Sequence, residues 1–321
     1  MENWKSSLMK SMKIALAAVL GIAIAARLGL SSSATAGIIT ILSIRNTKRE
    51  TLKSAANRVL AYLGALLVAG FSFWLLDFTL LGYALFLFLF SMLCIFLRWG
   101  EVLSGNAVLV SHFLVAGNMS PEMLMNETLL LIIGSTLGIL VNLHLRRKTE
   151  EFDRLAAEVD GQIKGILHRM SQWLPKEDKS AYGADCFGKL EATLLAARDC
   201  AARNYNNTLR AGDSYELDYI TMRERQSVIL KEIYENIIRI RFLPEQALAV
   251  AQILDEIEQA YHRENTVEEL LQKMDALLGR MDKEPLPKSR EEFEARAILF
   301  YILMQIKNVL EIKREFILSR E

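Results

Sequence analysis

The stretch Val59–Phe78, VLAYLGALLVAGFSFWLLDF, runs into Leu80–Leu97, LLGYALFLFLFSMLCIFL, with only Thr79 between them. Each is close to the roughly twenty mostly apolar residues that carry a helix across a hydrocarbon core. Two such runs side by side demand a tight turn over Asp77–Gly82 and a helical hairpin in a bilayer. Two more runs of this kind, Met12–Leu30 and Leu129–Leu145, flank the pair. Two shorter ones, Ala34–Ile44 and Ala107–Ala116, fall below spanning length and read, taken alone, as re-entrant or interfacial pieces.

Charge arbitrates between four spans and six. Lys and Arg collect on the cytoplasmic side of membrane proteins. Here they cluster at Lys5, Lys10 and Lys13, again at Arg45, Lys48, Arg49, Lys53 and Arg58, and again at Arg146, Arg147 and Lys148. The alternate connections are poor in them: Asp77–Gly82 has none, and Gly117–Thr128 offers Glu122 and Glu127 instead. Both counts leave the two termini inside. Six crossings, near residues 12–30, 33–45, 59–78, 80–97, 104–117 and 129–145, put every basic cluster in the cytoplasm, because the first span must return before Val59. A cleaved secretory signal is the competing reading of the start, with Lys5, Lys10 and Lys13 ahead of an apolar run and Ser33-Ala34-Thr35-Ala36 behind it. The length to Leu30 and the spans that follow favour an uncleaved helix in a multi-pass plasma-membrane or inner-membrane protein.

The totals conceal this division. Of 321 residues 52% are hydrophobic, and 38 Lys and Arg balance 38 Asp and Glu. Balanced charge without a basic face argues against nucleic-acid binding. Cys94, Cys186 and Cys200 form no metal or redox spacing. The chain therefore splits into a transmembrane part, 1–148, and a charge-rich cytoplasmic part, 149–321.

The second part reads as an all-α bundle. Helices are expected over Glu150–Trp173, Phe187–Arg210, Asp213–Phe242, Pro244–Glu264 and Glu291–Ser319, with capping boxes at Thr266-Val-Glu-Glu269 and Ser289-Arg-Glu-Glu292. Ile298, Ile302, Ile306, Val309 and Ile312 form one apolar stripe on the last helix. The carboxylates of this half are what the wet face of such a bundle needs.

Catalytic signatures are absent from the sequence. No phosphate loop is present, so a nucleotide-driven pump on one chain is not expected. His112, His144, His168 and His262 stand alone, without a second ligand at metal spacing. No enzyme activity, cofactor or metal is expected.

The membrane half carries more. Arg27 and Arg98 lie near opposite ends of their spans, close enough to an interface to act as snorkelling anchors or as substrate contacts. The halves share a pattern: Arg27-Leu-Gly29 then Ser33-Ala34, and Arg98-Trp-Gly100 then Ser104-Gly105, each leading into a short run. Three spans per half give opposite orientations, as in inverted-repeat transporters, where matching short segments mark the transport site. Helix starts at Ser31–Thr35 and at Ser104–Ala107 would then present free N–H groups to an anion. Candidate site residues are Arg27, Ser31, Ser33, Thr35, Arg98, Ser104, Asn106, Ser111 and His112. His112 either packs with its hydrogen bonds satisfied or meets substrate or a proton. Gly134-Ser-Thr-Leu-Gly138 permits close helix contact within or between subunits.

Gly37-Ile-Ile-Thr-Ile-Leu-Ser43, followed by Asn46-Thr-Lys-Arg-Glu-Thr-Leu-Lys-Ser-Ala-Ala-Asn-Arg58 and Gly64, resembles the aromatic acid exporter family. That family is related to the fusaric-acid resistance proteins and, more distantly, to plant aluminium-activated malate channels. The layout matches its Gram-positive members, six spans followed by a cytoplasmic helical domain. The resemblance implies export of aromatic carboxylates or similar organic anions; with no nucleotide site visible in the sequence, the energy is expected from an ion gradient or the substrate's own gradient. It also implies a homodimer or higher oligomer, since larger relatives carry two membrane units in one chain. A passive anion channel and a membrane-anchored sensor or scaffold working through the C-terminal domain are the rival expectations.

Overall fold

The computed structural model describes residues 2–143, 147–183, 185–208, 214–262 and 266–320. His144, Arg146, the Lys5 side chain and the expected helix ends at Leu145, Arg210, Asp213 and Glu264 lie outside the described residues. Among the described residues the chain is all-helical, with no strand. It divides into two compact units, residues 1–147 with 206–211, and residues 148–205 with 212–321.

The first unit holds α1 (Glu2–Arg27), α2 (Ala34–Ser43), α3 (Lys48–Leu76), α4 (Leu80–Phe96), α5 (Gly100–Ala116) and α6 (Pro121–Leu143). Ser7–Arg27 of α1, all of α3 and all of α6 are long and apolar enough to cross a membrane, and α2, α4 and α5 are shorter apolar helices. Several helices begin earlier than the apolar runs. α3 starts at Lys48 rather than Val59, because Thr47 caps it by accepting from the Glu50 N–H at 3.3 Å. α6 starts at Pro121 rather than Leu129, with Pro in the first turn. An apolar run measures hydrocarbon thickness, and a helix continues until something breaks it.

The two matched turns differ. α1 ends at Arg27 and α2 restarts at Ala34 through Gly29 (φ +71°) and Ser32 (φ +55°). α4 ends at Phe96, Arg98 itself takes φ +56°, and α5 starts at Gly100. Ser104–Ala107 therefore lies inside α5, where its N–H groups fall within the helical ladder. The expected helix start there is corrected to Gly100.

α2 is seated against α1 and α6 by small residues. A Cβ on Gly134 would meet Ile39 at 2.6 Å and the Ala36 carbonyl at 2.7 Å, and one on Gly138 would meet Ser43 Cβ at 2.4 Å. The GxxxG pair is thus used inside the unit, against α2. The buried Thr40 and Ser43 hydroxyls return to the Ala36 and Ile39 carbonyls of their own helix, at 2.8 and 2.6 Å. A second core packs Ala61, Ala65 and Ala69 of α3 against Phe86, Phe90 and Phe113. The outward face is apolar, with Leu67 77% and Trp74 78% exposed. Such a surface suits a lipid solvent.

The second unit contains α7 (Thr149–Trp173), α8 (Cys186–Asn207), α9 (Tyr215–Arg239), α10 (Gln246–Gln259), α11 (Glu268–Met281) and α12 (Arg290–Leu318). Its core joins apolar faces of all six. Ile302, Ile306, Val309 and Ile312 are buried, and Ile298 is half-buried. Ser289 caps α12, its Oγ accepting from the Glu292 N–H at 3.1 Å. Thr266 does not cap α11. Val267, with φ +63°, occupies the cap position without a side-chain bond, so the expected box there is not formed.

Polar groups cross this core at Arg223. Its Nε lies 2.9 Å from Asp160 Oδ1, and its Nη1 donates to Gln226 at 2.8 Å and Tyr261 at 2.6 Å. Lys313, 3% exposed, donates to the His262 carbonyl. Burial first, and then the Arg223 guanidinium, push the Lys313 ammonium down to about 7. Folded Lys313 therefore releases its proton near pH 7 while the unfolded chain holds it to about 10.5. Below 7 both states are protonated and the burial penalty is fully present. Between the two values the unfolded state binds more protons, so stability rises with pH. Lys313→Met is expected to stabilise the unit at pH 7 by about 2 kcal/mol and to flatten that rise. Circular-dichroism melts of the purified chain from pH 6 to 10 check both.

Candidate functional site

Two polar clusters lie inside the membrane unit, one at each end of α2. The first gathers at its C-terminal end. Arg45, just beyond α2, pairs with Glu101 of α5 at 2.9 Å and donates to Ser54 of α3 at 3.2 Å. Asn142 of α6 donates to the Arg45 carbonyl at 2.7 Å. Arg58, one turn of α3 beyond Ser54, is 1% exposed. Its Nη2 donates to the Leu42 carbonyl at 2.9 Å, yet its Nε and Nη1 find no partner among the described residues. Gly105 makes room for it, since a Cβ there would lie 3.0 Å from Arg58 Nη1. Beside Gly105, buried Asn106 donates to the Val102 carbonyl while its own Oδ1 has no partner among the described residues. A guanidinium does not shed its proton, so burial leaves Arg58 charged with two of its three nitrogens unused among the described residues. Two guanidiniums against the one Glu101 carboxylate leave this cluster cationic.

The second cluster gathers at the N-terminal end of α2. Glu127, in the second turn of α6, is fully buried. His112 Nδ1 lies 2.7 Å from its Oε2, and Asn126 Nδ2 donates to its Oε1 at 2.8 Å. The other imidazole nitrogen, Nε2, faces the Thr35 hydroxyl at 3.4 Å. Asn126 also ties down the α1–α2 turn, accepting from the Ser31 N–H at 2.8 Å and donating to the Ser31 carbonyl at 3.2 Å. Next to Glu127, Thr128 shares a 3.1 Å hydrogen bond with the buried Tyr62 hydroxyl of α3.

Of the residues expected from sequence, the structure brings Ser31, Thr35 and His112 together through the Asn126 and Glu127 bonds, and buries Asn106 next in the chain to Gly105, which packs on Arg58. Ser111 bonds back to the Val108 carbonyl of its own helix at 2.6 Å. Ser33 is half-buried at the start of α2, and Ser104 is exposed on α5. Arg27 and Arg98 are both exposed and are not brought together. Arg27 leads into the Ser31 end of the unit. Arg98 stands fourteen residues before His112, about 21 Å along a helix axis, at the Glu101 end.

Sequence reasoning missed the two central side chains. Arg58 was counted among cytoplasmic charges and Glu127 among acids of an outer loop. The signal that finds both is helical phase. Arg58, Tyr62, Ala65 and Ala69 repeat at helical spacing on the buried face of α3, and Glu127, Leu130, Leu131 and Gly134 do the same on α6.

Residues 7–145 match the family model "Aromatic acid exporter family member 1", and residues 149–314 match "Putative aromatic acid exporter C-terminal domain". Over 312 residues the chain is 27% identical to the uncharacterised protein YqjA of Bacillus subtilis (strain 168), covering 96% of this chain and 95% of that one. A crystal structure from Clostridium difficile 630 is similar with a TM-score of 0.46 and 22% identity, covering 52% of this chain and 98% of that chain. Exporter membership points to a transporter rather than an enzyme. With both models placed end to end along the chain and an apolar outer face on the first unit, this is a membrane protein of the aromatic acid exporter family.

Proposed function

We propose that the membrane unit exports organic anions, aromatic carboxylates first among them, and that Arg58 is the cation that receives the carboxylate. The observation that carries this reading is a fully buried guanidinium with two of its nitrogens, Nε and Nη1, unpartnered among the described residues. Carboxylate oxygens can accept charge-assisted hydrogen bonds from these nitrogens, Nε–H on one edge of the guanidinium and Nη1–H on another. Asn106 Oδ1, also unpartnered, would accept from a hydroxyl on the ring or from a protonated acid. Arg27 and Arg98, exposed at opposite ends, would gather anions toward the unit without holding them.

The six apolar helices would cross the plasma membrane with both termini in the cytoplasm, since Lys10, Lys13, Arg45, Lys48, Arg49 and Lys53 then share the inner side. Burial of Arg58 among packed helices favours a carrier that exposes its site by rearrangement over a permanently open channel. A second copy of the chain would complete the pair of membrane units that larger relatives carry in one polypeptide.

The test is binding of benzoate and a panel of other organic acids to purified protein, followed by thermal shift and calorimetry. Arg58→Gln is expected to weaken binding of the best aromatic carboxylate by roughly 30- to 100-fold, the worth of about two charge-assisted hydrogen bonds. Arg58→Lys keeps the charge without the planar set of donors and should fall between. Unaltered binding in Arg58→Gln, or no carboxylate bound by the parent protein, would sink the reading.

A further inference from the structure

We propose that Glu127 and His112 share one exchangeable proton and form the proton-binding site of this membrane unit, joined through α2 to the anion site at Arg58. The proposal rests on the transporter reading for the use made of the proton, and on geometry for the site itself.

Glu127 is fully buried, and its hydrogen-bond partners are an imidazole and an amide. No lysine or arginine is bonded to either residue among the described residues. The charged or titratable groups facing the pair are few. Tyr62 of α3 is near Glu127, with its hydroxyl on Thr128. Thr35 and Ser31 bring hydroxyl and backbone groups from the α2 end, and Asn126 brings its amide. Arg27, on α1, points to solvent exposure rather than to the pair.

A carboxylate buried without a fixed cation is costly unless neutralised, and here only a proton can do that. With one proton the pair is neutral overall, as a carboxylic acid beside imidazole or as a carboxylate beside imidazolium. Without it the pair carries one buried negative charge. Transfer within the pair breaks the Nδ1–H bond of the imidazolium as Oε2–H forms. His112 Nε2, facing the Thr35 hydroxyl, is the nitrogen through which a proton enters or leaves. A relay needs an imidazole with both nitrogens engaged in this way. An intramembrane acid–histidine pair of this kind suits a proton path.

The link to the anion is α2 itself. Thr35 at its first turn faces His112, and the Leu42 carbonyl at its last turn accepts from Arg58. α2 is only 10 residues long and is wedged on α6 by Gly134 and Gly138. Movement of this helix therefore alters both sites together. Binding linkage is reciprocal, so anion occupancy must change proton affinity if proton occupancy changes anion affinity.

Infrared difference spectra of the full chain in lipid, stepped in pH, test the site directly. A Glu127-dependent signal is expected on acidification of the parent, a carboxylic-acid C=O band or an imidazolium band shifted by the carboxylate, and is absent in Glu127→Gln. His112→Asn, which keeps a donor near the Nδ1 position but cannot take a proton, should shift the midpoint by at least one pH unit. A parent spectrum identical to that of Glu127→Gln overturns the proposal. Repeating the titration with saturating benzoate is expected to move the midpoint by about half a unit or more. An unmoved midpoint with benzoate bound overturns the link through α2. If neither benzoate nor any other organic acid of the panel binds, the Arg58 reading falls by itself, and the proton site still stands or falls on the pH-difference signal.

Discussion

Gly134→Leu is expected to abolish recovery of the folded membrane unit. A Cβ at Gly134 already lies 2.6 Å from two Ile39 atoms and 2.7 Å from the Ala36 carbonyl oxygen, and the latter is backbone that cannot rotate away. Overpacking a well-fitted core costs about 1–3 kcal/mol in tolerant sites and more where backbone must move. Here α2 must leave α6, and with it go the contacts of Thr35 with His112 and of the Leu42 carbonyl with Arg58. Gly138→Ala should be harmful for the same reason, its Cβ meeting Ser43 Cβ at 2.4 Å. Gly70→Ala, on α3 with nothing within 4 Å, is the matched control. It should be neutral or stabilising by about 0.5 kcal/mol through helix propensity. Size-exclusion profiles and apparent melting temperatures in detergent measure all three. A monodisperse Gly134→Leu protein melting with the parent would show that α2 does not sit where the small residues place it.

The same glycines show how far the sequence could be read. GxxxG at Gly134 and Gly138 announces a close helix approach, but a four-residue spacing carries no information about which helix approaches. The partner is α2, whose own small residues sit one turn apart. The all-helical class and the division into an apolar and a charged part were legible because long runs such as Val59–Phe78 need no partner to be recognised. What escaped was the inward polar surface. Hydropathy windows average over a turn, so Arg58 and Glu127 registered as flanking charge instead of single inward-facing residues on α3 and α6. Asn126 was invisible for a different reason. Its amide matters only because the chain turns at Ser31, ninety-five residues earlier, to meet it. Spacing alone was a weaker guide at the two matched turns. Arg27 and Arg98 match in sequence, yet one ends a helix and the other takes a left-handed turn, so equal spacing did not produce equal geometry.

Asp160→Ala is expected to destabilise the C-terminal unit by roughly 3–5 kcal/mol, because it removes one partner of a buried pair and leaves the other charged. Arg223 has a fully buried side chain and Asp160 is 17% exposed. Despite burial, the tyrosine hydroxyls and Asp160 hold the Arg223 guanidinium above its ordinary range, so it cannot escape by losing a proton. Tyr219 ties the pair together, donating to Asp160 Oδ2 at 2.6 Å while accepting from Arg223 at 3.1 Å. Gln226 passes the network on to the Val309 carbonyl at 2.7 Å, so α7, α9 and α12 meet around one guanidinium. Removing the carboxylate also exposes Lys313 to an uncompensated like charge, since Asp160 opposes the effect of Arg223 on that ammonium. Lys313→Met in the Asp160→Ala background should therefore recover more stability than Lys313→Met alone. A coupling of about 1 kcal/mol is expected for groups sharing one network. Calorimetry of the four proteins at about pH 5.5, below the folded value of about 7 so that Lys313 is protonated in the parent, gives the cycle directly, and additive effects would show that the two sites do not sense each other. The two units keep separate hydrophobic cores. Carboxylate binding at Arg58 is accordingly expected to survive Asp160→Ala, which would place recognition of the anion in the membrane unit alone.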